Sequence, residues 1–137
     1  MKPRIYVETS VISYLTARPS REAVNTARQI QARALWQAQE RWSLLVSPIV
    51  LDEISRGHAA QVALRQAAVA GLPVLALSDE ASYLAQLLIE RKALPKKAFA
   101  DAAHIAVATA HKVRVLASFN FRHLASVFAR AKIEHTL

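Results

Sequence analysis

At 137 residues the chain has the length of one domain, enough to bury most of its apolar surface around a single core. Hydrophobic residues make up 53% of it, and two glycines and five prolines leave little room for long loops, linkers or low-complexity tracts. There is no cysteine, which excludes disulfides, thiolate metal sites and a thiol nucleophile and suits a reducing cytoplasm; the net charge of +8 favours polyanionic partners, nucleic acid above all, or else an acidic protein.

Arg4-Ile5-Tyr6-Val7 is a short β-branched and aromatic run that reads as a first strand, and Glu8 interrupts it before any signal-peptide core forms. Thr9 or Ser10 is expected to cap a helix through Leu15. Ser20 then opens a second helix, carried by Ala23, Ala27, Ile30, Ala34, Leu35 and Ala38 to about Trp42. Leu44-Leu45-Val46 is the second strand. Ser47-Pro48 matches an N-cap with proline at the first helical position, and that helix ends near Gly57. A further helix runs from about Ala59 to Ala70, where Gly71 stops it.

Pro73 to Leu77 reads as the third strand, with Ser78 or Asp79 capping a helix to Lys92. The longest apolar run, Ala67 to Leu77, covers 11 residues and is too short to cross a bilayer. After the break at Leu94-Pro95, an alanine-rich helix from Lys96 or Lys97 to Lys112 is apolar nearly all round, as for a helix packed on several sides. Val113 to Ala117 is the fourth strand, and Phe121 to about Lys132 the last helix. About four short strands joined through helices predict an α/β fold with a parallel sheet covered on both faces, in a single domain spanning 1–137.

In such sheets ligands bind beyond the carboxyl ends of the strands. The polar residues there are Glu8-Thr9-Ser10 after the first strand, Asp52 and Glu53 after the second, Ser78-Asp79-Glu80 after the third, and Ser118 and Asn120 after the fourth. Asp101 enters at the start of the alanine-rich helix, flanked by Ala98, Ala100, Ala102 and Ala103. A buried carboxylate needs a metal, a cation or hydrogen bonds. Glu8, Glu53 and Asp101 are therefore candidate oxygen ligands for Mg²⁺ or Mn²⁺.

The alternative gives them separate duties: Glu8 in a cap, Glu53 as a solvated helix charge, Asp101 favoured by a helix N-terminus. Asp79 and Glu80 read as a helix start. His104 shares a helical stripe with Asp101 and His111, and reads as a buried hydrogen-bonding residue in preference to a ligand. Gly57 and Gly71 alone cannot form a phosphate-cradling loop, and no Gly-x-Ser-x-Gly elbow exists.

Four blocks, in order, resemble the PIN-domain family. Tyr6-Val7-Glu8-Thr9-Ser10-Val11-Ile12-Ser13-Tyr14-Leu15 resembles the opening of these domains, an acid followed by Thr-Ser. Ser47-Pro48-Ile49-Val50-Leu51-Asp52-Glu53-Ile54 is similar to the second block, with Glu53 at the acidic position. Leu94-Pro95 and then Asp101-Ala102-Ala103-His104-Ile105-Ala106-Val107-Ala108 are similar to the third, and Ser118-Phe119-Asn120-Phe121-Arg122-His123-Leu124 to the fourth.

The resemblance implies a PIN fold and divalent-metal-dependent RNA cleavage by the toxin half of a VapBC-type toxin–antitoxin pair, commonly a homodimer inhibited by its antitoxin. It implies metal ligation by Glu8, Glu53 and Asp101, and a catalytic hydrogen bond from Asn120. Thr9, Ser10, Ser118 and His104 would support them, and Arg122 and His123 would contact RNA. Three features depart from the family pattern. Glu8 stands where Asp is usual, neutral Asn120 stands where many relatives carry a fourth acid, and the chain ends at Leu137 where relatives tend to continue with a short segment. The first two keep open a non-catalytic RNA-binding or partner-binding module. A phosphatase acting on small phosphate esters would need a nucleophilic Asp where Glu8 stands.

Overall fold

A computed structural model describes residues 2–91 and 99–120. The expected break at Leu94-Pro95, the start of the alanine-rich helix at Lys96 or Lys97, and the last helix with Arg122 and His123 lie outside the described residues.

Strand β1 (Arg4–Val7) is the centre of a parallel sheet of order β2-β1-β3, with β2 at Ser43–Leu45 and β3 at Val115–Ala117. Ile5 lies opposite Leu44 and Val115, and Tyr6 opposite Leu45 and Leu116. Successive strand side chains point to opposite faces. Ile5, Tyr6 and Val7 are nevertheless all buried, so both faces of β1 are covered.

The described helices are α1 (Thr9–Thr16), α2 (Ala23–Gln37), α3 (Pro48–Ile54), α4 (Ala59–Val69), α5 (Asp79–Glu90) and α6 (Phe99–Ala110). Helix α1 packs against α2, α3 and α4, while α5 packs against α6. The alanines explain the second pair: Ala102, Ala103, Ala106 and Ala108 of α6 are buried, as are Ala81, Ala85 and Leu88 of α5. Small side chains let the two helices approach closely and interdigitate.

Several boundaries differ from the sequence expectation, each for a local reason. The segment expected as a strand over 73–77 makes a single parallel bridge, Val46 to Val74. Val46 N–H donates to Pro73 O at 3.0 Å and Leu75 N–H to Val46 O at 2.8 Å. Beyond this, the Ala76 carbonyl bonds the His111 ring at 2.8 Å instead. Helix α2 starts after Glu22, whose carboxylate accepts from Val24 and Asn25 N–H, while Ser20 accepts from Glu22 N–H one turn earlier. It ends at Gln37, short of Trp42.

Other signals hold. Ser47 caps α3 with Pro48 at its first position, Ser78 caps α5, and Gly71 follows α4 at φ +85°. Helix α6 stops at Ala110, two residues before the expected end. Lys112 takes the left-handed φ of 58°, and Val113 N–H returns to Ala108 O at 2.8 Å, closing the helix as a glycine usually would. Arg4 donates to the His111 and Lys112 carbonyls at 2.9 and 3.2 Å, satisfying that end from β1.

No helix among the described residues is long and apolar enough to cross a membrane. The close α5–α6 packing makes a specific demand on volume. Ala106 is fully buried, so Ala106→Leu should overpack the contact and cost about 1–3 kcal/mol. Urea denaturation checks this as a lowered midpoint with an unchanged slope.

Candidate metal centre

At the carboxyl end of β1 the ladder continues one residue further: Glu8 N–H donates to Ala117 O at 3.0 Å. This places the Glu8 side chain, 6% exposed, between the start of α1 and the end of β3. Thr9 and Ser10 open α1 and were expected to cap it, but Glu8 occupies the N-cap position. The two hydroxyls are drawn to the carboxylates: Thr9 Oγ1 donates to Glu53 Oε1 at 2.6 Å and Ser10 Oγ to Glu8 Oε1 at 2.5 Å.

Ser118 Oγ also donates to Glu8 Oε1, at 2.7 Å. Each of these serines also accepts a backbone bond, Ser10 from Phe119 N–H at 2.8 Å and Ser118 from Asn120 N–H at 2.9 Å. The end of β3 is thereby tied to the Glu8 carboxylate. Asn120 Nδ2 then donates to Asp101 Oδ1 at 2.7 Å, so the block that begins at Ser118 reaches the start of α6.

Glu53 comes from α3. Its neighbour Asp52 points outward and pairs with Arg56 one turn on, whereas Glu53 is partly buried toward β1 and α6. His104 Nε2 meets Glu53 Oε1 at 2.7 Å. The other ring nitrogen, Nδ1, is 2.7 Å from the Tyr6 hydroxyl, which is 2.7 Å from Ser47 Oγ. His104, Tyr6 and Ser47 are all fully buried.

Electrostatics matches this arrangement. Burial works to raise the Glu53 pKa, but the hydrogen bonds from His104 and Thr9 outweigh it, the Arg56 charge adds to them, and the carboxyl is held below its ordinary value. Burial pushes the Tyr6 phenol well up, Ser47 pulls the other way, and the Glu53 and Glu8 charges reinforce the rise, so Tyr6 stays a neutral hydroxyl.

Glu8, Glu53 and His104 offer donor atoms that all lie within 4.8 Å of one another. His104 has both ring nitrogens engaged, so the oxygens of Glu8 and Glu53 are the ones left to ligate. Among the described residues, the donors to each carboxylate all fall on Oε1, and Oε2 receives none of them. No Lys or Arg nitrogen of the described residues lies within 4.0 Å of Glu8 or Glu53. Two partly desolvated carboxylates side by side, each with a second oxygen to offer, fit a hard divalent cation.

Asp101 falls outside this close group and adjoins it through Asn120 and Ser118. Two hydrogen-bonded groups therefore meet where Glu8 and Glu53 come together, Glu8 with Ser10, Ser118, Asn120 and Asp101, and Glu53 with Thr9 and His104, while Asp79 starts α5. Sequence reasoning passed over Tyr6 and Ser47, which read as a strand residue and a helix cap. Arg28 was also missed. It donates to Tyr14 O–H at 2.8 Å and sits over the Tyr14 and Phe119 rings, at 5.5 and 6.0 Å from their centroids, beside the Ser118–Asn120 turn.

The structure is thus an α/β domain whose clustered carboxylates lie where its parallel strands end, the place where ligands bind in such sheets. The family model for the PIN domain matches residues 5–129, and the chain belongs to the PIN-domain family. Among solved structures it is similar to the Mycobacterium tuberculosis toxin VapC20, which cleaves the sarcin–ricin loop. The two are 23% identical, the match covers 93% of this chain and 94% of that one, and the TM-score is 0.67. Comparison with curated proteins finds no match.

The Glu53 shift has a sign that can be measured. A carboxyl held low in the folded state stabilises the fold above its unfolded pKa, and this contribution is lost as pH falls through the folded value. In metal-free buffer, the urea stability gap between wild type and Glu53→Gln should therefore be widest near about pH 7 and close toward about pH 3.

Proposed function

We propose that this protein is a divalent-metal-dependent endoribonuclease, the toxin component of a VapBC-type toxin–antitoxin pair acting in the cytoplasm. The observation that carries the reading is the meeting of Glu8 and Glu53 at the carboxyl end of β1, with Asp101 and Asn120 adjoining. Family membership supports nuclease chemistry, and the likeness to VapC20 supports the fold on which it is built.

In this reading Glu8 and Glu53 hold Mg²⁺ or Mn²⁺, and Asp101 completes the acidic set. When bound, such an ion supplies Lewis acidity toward a phosphate and makes water a better nucleophile near neutral pH. The chain's own residues do the rest. Thr9, Ser10 and Ser118 hold the carboxylates in orientation. Asn120, held against Asp101, presents a neutral amide where a charge would repel the phosphate. Arg28, with the Tyr14 and Phe119 rings, supplies a cationic wall beside the acids, and Arg122 and His123 are the further residues assigned to RNA contact.

The net charge of +8 supports salt-dependent binding of the RNA backbone. A cognate antitoxin and a homodimer complete the proposal. RNA cleavage with and without Mg²⁺ or Mn²⁺ tests it: Asp101→Asn should remain folded and lose about 10²–10³-fold or more in rate. An unchanged rate removes Asp101 from the mechanism. Metal-independent RNA binding without cleavage would favour the non-catalytic module.

A further inference from the structure

The polar groups behind Glu53 form a chain that satisfaction of buried atoms alone does not require to end at a carboxylate. Val50 N–H donates to Ser47 Oγ at 3.4 Å. Ser47, Tyr6, His104 and Glu53 then follow at 2.7 Å steps. With a neutral imidazole protonated on Nε2, every link has one donor: Ser47 O–H to Tyr6 O, Tyr6 O–H to His104 Nδ1, and His104 Nε2–H to Glu53 Oε1. With Nδ1 protonated, the direction reverses and the Ser47 hydroxyl hydrogen has no acceptor among the described residues.

The chain also joins the right elements. Ser47 caps the helix that carries Glu53, Tyr6 lies two residues from Glu8 on the same face of β1, and His104 lies three residues after Asp101 on α6. It thus braces, from the buried side, each element that supplies an acid. We propose that Ser47, Tyr6 and His104 are positioning residues forming a one-way hydrogen-bond chain that fixes Glu53 through Oε1 and reserves Oε2 for the divalent cation.

This rests on the metal-dependent reading above, and a binding measurement separates the two. Mn²⁺ alone is titrated calorimetrically into wild type, Tyr6→Phe, His104→Leu and His104→Gln, with urea stability measured in parallel. Tyr6→Phe keeps the ring and removes only the hydroxyl; Gln can return an N–H toward Glu53, and Leu cannot.

Tyr6→Phe and His104→Leu are expected to weaken Mn²⁺ binding about 10–100-fold, with His104→Gln recovering most of the loss. Unchanged Mn²⁺ affinity in folded Tyr6→Phe overturns the positioning role and leaves the metal site standing. So does a Gln variant as weak as the Leu variant. A wild type that binds no Mn²⁺ overturns both. Nitrogen NMR of His104 in the wild type gives a check independent of any variant's folding. A hydrogen on Nε2 and none on Nδ1 is expected, and protonation on Nδ1 overturns the chain's direction.

Discussion

Two carboxylates brought side by side at the end of a buried strand are costly, because each resists leaving water and each repels the other. Much of the surrounding structure answers that cost. Four hydroxyl or ring donors converge on Glu8 and Glu53 from α1, from the turn after β3 and from α6. Two of those donors, Thr9 and Ser10, are residues whose type suits a helix cap. The N-cap of α1 and the course of residues 118–120 match where the carboxylates accept hydrogen bonds.

The same requirement explains why some acids are in the site and others are not. Asp52 and Glu53 are adjacent on α3, but a helix sends neighbouring side chains in different directions. Asp52 reaches Arg56 in solvent, and Glu53 reaches His104. Charge is segregated along the sheet as well. At its amino end Lys2, Arg4, Lys112 and Arg114 line a cavity of about 360 Å³, while the acids gather at the carboxyl end.

Parallel connectivity was legible because the strands are short, apolar on both faces and separated by helical periodicity. Ser47-Pro48, Ser78 and Gly71 marked real helix ends. Local signals failed where a distant partner outbid them. Thr9 and Ser10 carry cap chemistry but serve Glu53 and Glu8, and the stretch after Val74 has strand composition but loses a carbonyl to His111. The positive φ of Lys112 has no signal in its residue type.

The identity and order of the acidic blocks were determined by the sequence alone, because a residue just past a strand, or within two turns of a helix start, lies near the carboxyl end of a parallel sheet. Which oxygens meet was decided only by the tertiary structure. Glu8 and Glu53 are 45 positions apart and come together through the register of β1 and the seating of α3, while Asp101 is linked to Glu8 through Asn120 and Ser118. Tyr6 and Ser47 join His104 for the same reason. Hydrogen bonds of 2.7 Å depend on packing across three elements, and no local pattern of residue types encodes that distance.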